Sequence, residues 1–395
     1  MKGHAVGRGL LRRFSVILGL LLLAACAGTA PRNVGQEYFP APTGSGALEP
    51  VPDVDVLVLT EPLKALLARQ VEIYPGKAER MQALSRLFSN PALLPLKYDS
   101  SQTRTAAETF AAGAADCVSF SNLAVAMARH VGLDARYQDV FVRSGWERSG
   151  DLAVIRRHMN VLVAGAGGRR EVYDFFANRS VDGSSTVITD ARARAQYFNN
   201  RGMEFFRAGD NEAALRHLIR AVRIDPGIAF IWSNIGTVYS VSGQYGAAEI
   251  FLRRALAVEQ GNPSALVNLA ELYRKQGRLA QAAIYDHAVA EYRKKNPYYW
   301  YELASRSYAA ERYPEALEQL GRALAIKADP AFHELRAGIY QKLGRLELAR
   351  KSCQLAQTLA GKGGSHASPE VCAESGFDLD AKLTASAGAG AAPAR

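Results

Sequence analysis

The sequence predicts an α+β domain followed by an all-α superhelix in a chain of 395 residues. Three observations carry this reading. From residue 195 onward, small residues recur every 34 positions, a length that fits a helix–turn–helix repeat. Between residues 53 and 190, helical periodicity gives way to short strand-forming runs broken by polar and glycine-rich turns. The composition, 48% hydrophobic and 22% charged, is that of folded domains and excludes wholesale disorder or a collagen-like chain. Four cysteines are too few for a disulfide scaffold at this length. The net charge is +10, of which Lys2, Arg8, Arg12 and Arg13 contribute four within a segment that has no acid. The remaining excess is spread thinly, and a nucleic-acid partner, which calls for a concentrated basic stripe, is not expected.

Residues 1–25 read as an export signal. A basic segment ends at Arg13, and an apolar run of about twelve residues follows, too short to span a bilayer. The run ends Leu23-Ala24-Ala25-Cys26, which resembles the bacterial lipoprotein box. That resemblance implies a diacylglyceryl group on the Cys26 thiol and a membrane anchor, each buried methylene contributing roughly 0.8 kcal/mol. An ordinary cleaved signal is the other reading. With Ala27, and no acid, after the cysteine, the resemblance implies the outer membrane, with the protein facing the periplasm. No other segment is long and apolar enough to cross a membrane. Residues 26–52, with Pro31, Pro40, Pro42, Pro50 and Pro52, read as a flexible tether spanning roughly 25–30 Å.

In the domain at 53–190, helices are expected near 61–71 and 77–90. From Cys117, the residues Phe120, Leu123, Ala124, Met127 and Val131 share one helical face, and Gly132 stops the helix. Cys117 therefore sits in a first helical turn, where unpaired amides and the helix dipole favour a thiolate and are expected to lower its pKa. Residues 135–143 read as a strand and 144–153 as a polar loop. Residues 157–163 and 170–176 read as strands flanking Ala-Gly-Ala-Gly-Gly at 164–168, a hairpin turn rather than a dinucleotide loop. A turn centred on Ala166 sets His158 opposite Asp174, close enough for a carboxylate to orient an imidazole. His130 caps the far end of the Cys117 helix and has no catalytic role in this reading. The remaining histidines lack metal spacing and no carboxylate cluster resembles a calcium loop, so neither metal nor cofactor is expected.

The order Cys, His, Asp in these settings resembles the transglutaminase-like superfamily. The residues that carry the resemblance are DCVSFSNL around Cys117, R-x-x-G-x-x-A-R from Arg129 to Arg136, HMNV at His158 and VYDF at Asp174, within residues 105–177. It implies a papain-like fold, with Cys117 as nucleophile, His158 as base and Asp174 as orienting acid. The implied chemistry is acyl transfer, peptide hydrolysis or amide hydrolysis through a thioester. Ala115 stands where many members have glycine, and Met159 and Asn160 stand where aromatic residues often follow the histidine. The Cys117 backbone N–H is the expected oxyanion donor, with Tyr98 or Gln102 as further candidates.

The second half, 195–360, supplies about five units. Gly202, Gly236, Ala270 and Ala304 keep one phase, and Ala214, Ala248, Ala282 and Ala316 another. Leu218, Leu252 and Leu320 fill between them, Gly209, Gly243 and Gly277 mark the turns, and Pro226, Pro263, Pro297 and Pro330 stand near unit ends. A fifth unit keeps Ala337, Tyr340, Gly344, Ala349 and Ala356. This pattern resembles tetratricopeptide (TPR) repeats, which implies a superhelix whose groove binds a protein or peptide. Asn200, Asn234 and Asn268 recur in phase and are the candidate partner-binding amides, expected to face solvent; a structural role is the other reading. Unit three departs at Asp286, where Tyr285 is expected to fill the apolar site. Residues 361–395 lack periodicity and read as a disordered tail. Cys353 either is a buried free thiol or pairs with Cys372.

The reading is thus a lipid-anchored envelope protein with a thiol site acting on protein or peptide amides that the repeats recruit. The rival is a non-catalytic scaffold for an envelope complex, whose triad is vestigial.

Overall fold

A computed structural model describes residues 39, 48–140, 146–149, 152–155, 158–165, 168–175 and 185–363. The export signal, Cys26, most of the tether, Cys372 and the tail beyond Gly363 lie outside the described residues, and so do the readings that concern them. Among the described residues, no helix is long and apolar enough to cross a membrane.

The first half opens with α1 (Glu61–Gln70) and α2 (Lys77–Ser89). A two-residue bridge, β1 (Lys97–Tyr98) with β2 (Ala114–Ala115), brackets α3 (Ala106–Ala112). Thr105 and Glu108 form a capping box at the start of α3, each side chain accepting the other's backbone N–H. Gly113 ends α3 at φ +60°, where an added Cβ would lie 2.9 Å from the Pro95 carbonyl oxygen. The chain thereby reverses straight into α4 (Cys117–His130), whose residues from Val118 to Ala128 are all buried. A helix buried all round is a core element rather than a surface one. Burying Phe120, Leu123 or Met127 contributes roughly 1.5–3 kcal/mol each. Gly132, at φ +79°, closes α4 and turns the chain into the sheet.

That sheet is antiparallel, in the order β7–β6–β3–β8, with β3 (Asp134–Val140), β6 (His158–Ala164), β7 (Arg170–Tyr173) and β8 (Ser185–Val187). Tyr137 donates to Asn122 Oδ1 at 3.0 Å, which pins β3 on α4. Where a polar loop is expected at 144–153, the chain forms a hairpin that runs slightly past it, β4 (Trp146–Ser149) with β5 (Leu152–Ile155). The 164–168 turn is a hairpin turn as expected, but displaced. Val161 pairs with Tyr173 and Leu162 with Val172, so Asn160, not His158, stands level with Asp174. On the β7 side of that turn Gly168 takes the left-handed conformation at φ +78°.

The second half is five antiparallel helix pairs. They are α5 (Asp190–Arg207) with α6 (Asn211–Ile224), α7 (Ala229–Val241) with α8 (Tyr245–Val258), α9 (Pro263–Lys275) with α10 (Leu279–Lys295), α11 (Pro297–Ala309) with α12 (Tyr313–Ile326), and α13 (Pro330–Lys342) with α14 (Leu346–Gly363). The small phases lie where paired helices approach most closely. A Cβ on Gly236 would meet Leu252 Cγ at 2.6 Å, and one on Gly202 would meet Leu218 Cγ at 2.8 Å. Positive φ recurs at Gly209, Gly243 and Gly277, and at Glu311 in the same phase of unit four. In unit three, Tyr285 is half-buried against Tyr273 (ring centroids 5.5 Å), while Asp286 is exposed and pairs with Arg274 at 3.1 Å. Cys353 is disulfide-bonded. The hairpin strand β5 lies against α9.

Candidate active site

Cys117 is the first residue of α4, and the residue before it fixes the geometry. Asp116 is buried at 7% exposure and caps the helix: its Oδ1 accepts from the Ser119 N–H at 2.7 Å and from the Ser119 hydroxyl at 2.6 Å. Its Oδ2 accepts from the Thr103 hydroxyl at 2.6 Å and, more distantly, from Asn200 Nδ2 at 3.5 Å. The loop before α3 is tied to the same turn, since the Arg104 N–H donates to Ser119 Oγ at 2.7 Å. Cys117 is half-buried and free of any disulfide.

His158 opens β6. Its Nε2 lies 2.8 Å from Asp174 Oδ2, with both side chains about nine-tenths buried. The sequence pattern brings these two residues together despite the displaced register, because Asp174 lies past the end of β7 and reaches His158 diagonally. Asn160, on the same side of β6 as His158, donates to the same carboxylate oxygen at 3.1 Å. Aromatic residues on both sides hold Asp174 in place. Tyr173 donates to the Met81 carbonyl at 3.0 Å, and the Phe175 ring sits 5.4 Å from Phe120 and 5.7 Å from Tyr98. Asn160 Oδ1 and Gln138 Oε1, on directly paired residues of β6 and β3, are buried and have no hydrogen-bond partner among the described residues.

The thiol of Cys117 is pushed up to about 12. Burial is the main cause, followed by the negative charge of Asp116; the Asp174 carboxylate adds to both. Hydrogen bonds from the Met159 and Val118 amides pull the other way and are outweighed. The expectation of a lowered thiol pKa is therefore corrected: the helix terminus does favour the thiolate, but partial burial and two nearby carboxylates favour the thiol more. The Met159 amide also locates the sulfur, since Met159 follows His158 in the chain.

Of the other candidates, Tyr98 is half-exposed on the rim, and Gln102 is exposed with its Oε1 accepting from Arg104 at 3.2 Å. His130 pairs with Glu72 at 3.4 Å, at the opposite end of α4. Among the described residues, no group of three or more His, Cys, Asp and Glu side chains could hold a metal ion.

The three repeat asparagines do not project freely into solvent, which corrects the expectation made for them. Asn200 reaches Asp116 of the first half, and its Oδ1 accepts from Asn199 at 3.2 Å. Asn234 donates to Asn199 Oδ1 at 2.7 Å. Asn268 is buried and donates to Thr237 Oγ1 at 2.9 Å. Each amide joins one unit to the element before it. On α5 the row Gln196, Asn200, Glu204 faces the first half: Gln196 donates to Asp139 Oδ1 at 2.6 Å, and Glu204 Oε1 accepts from the Thr103 N–H at 2.6 Å.

Residues 67–201 match the family model of the transglutaminase-like superfamily. Residues 199–257, 241–305 and 301–364 match models of the tetratricopeptide repeat. The chain is thus a transglutaminase-like domain followed by TPR repeats. Among solved structures, residues 41 to the end of MamA from Desulfovibrio magneticus RS-1 are similar, with 17% identity over 45% of this chain and 99% of that one and a TM-score of 0.25. An APC/C hetero-tetramer structure, Cut9–Hcn1, matches with 16% identity over 42% of this chain and 34% of that one, again at a TM-score of 0.25. No curated protein matches the chain.

Proposed function

We propose that this chain is an exported protein, anchored through a lipid on Cys26 at the outer membrane and facing the periplasm. In this reading, its transglutaminase-like half carries out thiol-dependent acyl chemistry on protein or peptide amides. The observation that carries the chemistry is the buried His158–Asp174 contact at 2.8 Å, on the strand that packs against the helix opened by Cys117. Asp174 engages Nε2, so proton exchange with the thiol runs through Nδ1. His158 takes the Cys117 proton as the substrate carbonyl arrives, and the sulfur bonds to the carbonyl carbon. The carbon–nitrogen bond then breaks, and His158 hands its proton to the departing amine. Water, activated by the same imidazole, cleaves the thioester to an acid and regenerates the thiol. Asp174 stays a carboxylate throughout and steadies the imidazolium, and Asn160 gives that carboxylate a second donor. Hydrolysis is favoured over crosslinking because water is always at hand. The repeats supply protein–protein recruitment; because α5 already packs on the first half, the partner surface belongs to the units beyond it.

The alternative is a scaffold with a vestigial triad, and the burial and neighbouring carboxylates that push the Cys117 thiol up are what favour it. Hydroxylamine separates the two, because it intercepts a thioester as a hydroxamate. Wild-type protein given a mixed library of peptide amides and glutamine side chains should form hydroxamate. Cys117→Ala and His158→Ala should reduce the yield by roughly 10²–10⁴. Wild-type yield no higher than that of Cys117→Ala, with full complementation of a deletion strain by Cys117→Ala, would establish the scaffold instead.

A further inference from the structure

The triad leaves unused a second polar network at the start of α4, and this one originates in the first repeat. Glu204 of α5 accepts from the Thr103 backbone N–H at 2.6 Å. The Thr103 hydroxyl donates to Asp116 Oδ2 at 2.6 Å, and Asp116 Oδ1 accepts from the Ser119 N–H in the turn that begins with Cys117. Thr103 and Asp116 are 2% and 7% exposed, so water does not compete for these bonds. On its other side Glu204 Oε2 pairs with Arg201 Nη1 at 2.6 Å, and the Arg201 guanidinium lies 5.5 Å from the Phe205 ring centre. A carboxylate largely withdrawn from water at a domain junction is costly unless paired and hydrogen-bonded, and Glu204, with its side chain 12% exposed, is both. An apolar residue would fill the same space at lower cost if docking were the whole purpose.

We propose that Glu204 is a positioning residue of the thiol site, supplied by the first repeat and acting through Thr103 and Asp116 on the turn that presents Cys117. This rests on Cys117 being the reactive thiol of the site. A plain docking contact is the competing account, and α5 provides its own control. Gln196 also bonds the first half, through Asp139, but on the sheet and away from the cap.

The test is alkylation of Cys117 by iodoacetamide at pH 9 in the full-length protein, followed by peptide mass mapping, with a thermal melt of each variant. Burial is what chiefly suppresses the thiolate, so loosening the capped turn lets water in and speeds the reaction. Glu204→Leu should alkylate about fivefold faster or more. Glu204→Gln keeps the oxygen that accepts from Thr103 and should stay within about twofold of wild type, as should Gln196→Ala. Should Glu204→Leu fail to fold, Thr103→Val removes only the hydroxyl and should accelerate alkylation about threefold or more. A rate for Glu204→Leu, or for Thr103→Val in its place, that stays within twofold of wild type or falls would overturn the proposal. So would the same acceleration in Gln196→Ala. Hydroxamate formation on the same samples keeps the two proposals apart: altered alkylation without wild-type hydroxamate leaves the positioning role standing and removes the acyl chemistry.

Discussion

At Cys117 the capped helix terminus and two backbone amides favour the thiolate, while burial, Asp116 and Asp174 favour the thiol. The second group wins, with the thiol pushed up to about 12. A free cysteine with a pKa near 8.5 is about a quarter thiolate at pH 8, whereas a thiol at 12 is roughly 0.01% thiolate. The more basic thiolate regains about one to two powers of ten in intrinsic nucleophilicity. Cys117 should thus alkylate on the order of tens of times slower than free cysteine at pH 8. Because its folded pKa lies above the tested range, its rate should climb close to tenfold per unit from pH 7 to pH 10. Iodoacetamide kinetics with mass detection measure both. A rate that levels off near pH 7 would mean that His158 already holds the proton as an imidazolium. The site itself was only partly legible in the sequence. Cysteine, histidine and aspartate stand out by residue type and order. Asn160 could have been found from its period-two spacing to His158. The link from Glu204 to Thr103 could not, because it crosses 101 positions and depends on how α5 docks.

At the scale of elements, the repeats were the most legible part, because their pattern reports a distance. Where two helices cross closely, only a small side chain fits, and the phase of glycine and alanine records the crossing every 34 residues. Gly236 illustrates the constraint, with a Cβ there 2.6 Å from Leu252 Cγ and 3.1 Å from the Ala248 carbonyl oxygen. Gly236→Ala should therefore destabilise the α7–α8 pair by about 1–3 kcal/mol, despite alanine's better helix propensity. A denaturant melt that is unchanged or improved would show that the pair can spread at no cost. The sheet was less legible for the opposite reason. Five small residues at 164–168 offer several turn centres, and nothing in the sequence says which of them takes positive φ, as Gly168 does. The two-residue strands β1 and β2 carry no period at all. The β4–β5 hairpin lies mostly in residues that read as polar loop and runs two residues past them.

The whole molecule is not two domains joined by a linker. The transglutaminase-like match runs to residue 201 and a repeat match begins at 199, so both claim part of α5. Contacts explain the overlap. Arg129 of α4 grips Asp190 at the start of α5 with bonds of 2.5 and 2.8 Å, and Gln196 holds Asp139 on β3. Asp53, ahead of α1, pairs with Arg194 of α5 at 3.2 Å and Arg220 of α6 at 2.9 Å, so the segment that follows the tether straps the first repeat. A boundary at residue 190 therefore cuts through packed structure. A fragment ending at 190 should lose its cooperative thermal transition, because β3 and the cap of α4 would face water where α5 now covers them. A fragment ending at 262, which keeps α5 to α8 as two stacked units, should retain that transition. Circular dichroism melts of the two fragments decide the matter. Equal cooperativity in both would return α5 to the repeats alone and confine the thiol site to the first 190 residues.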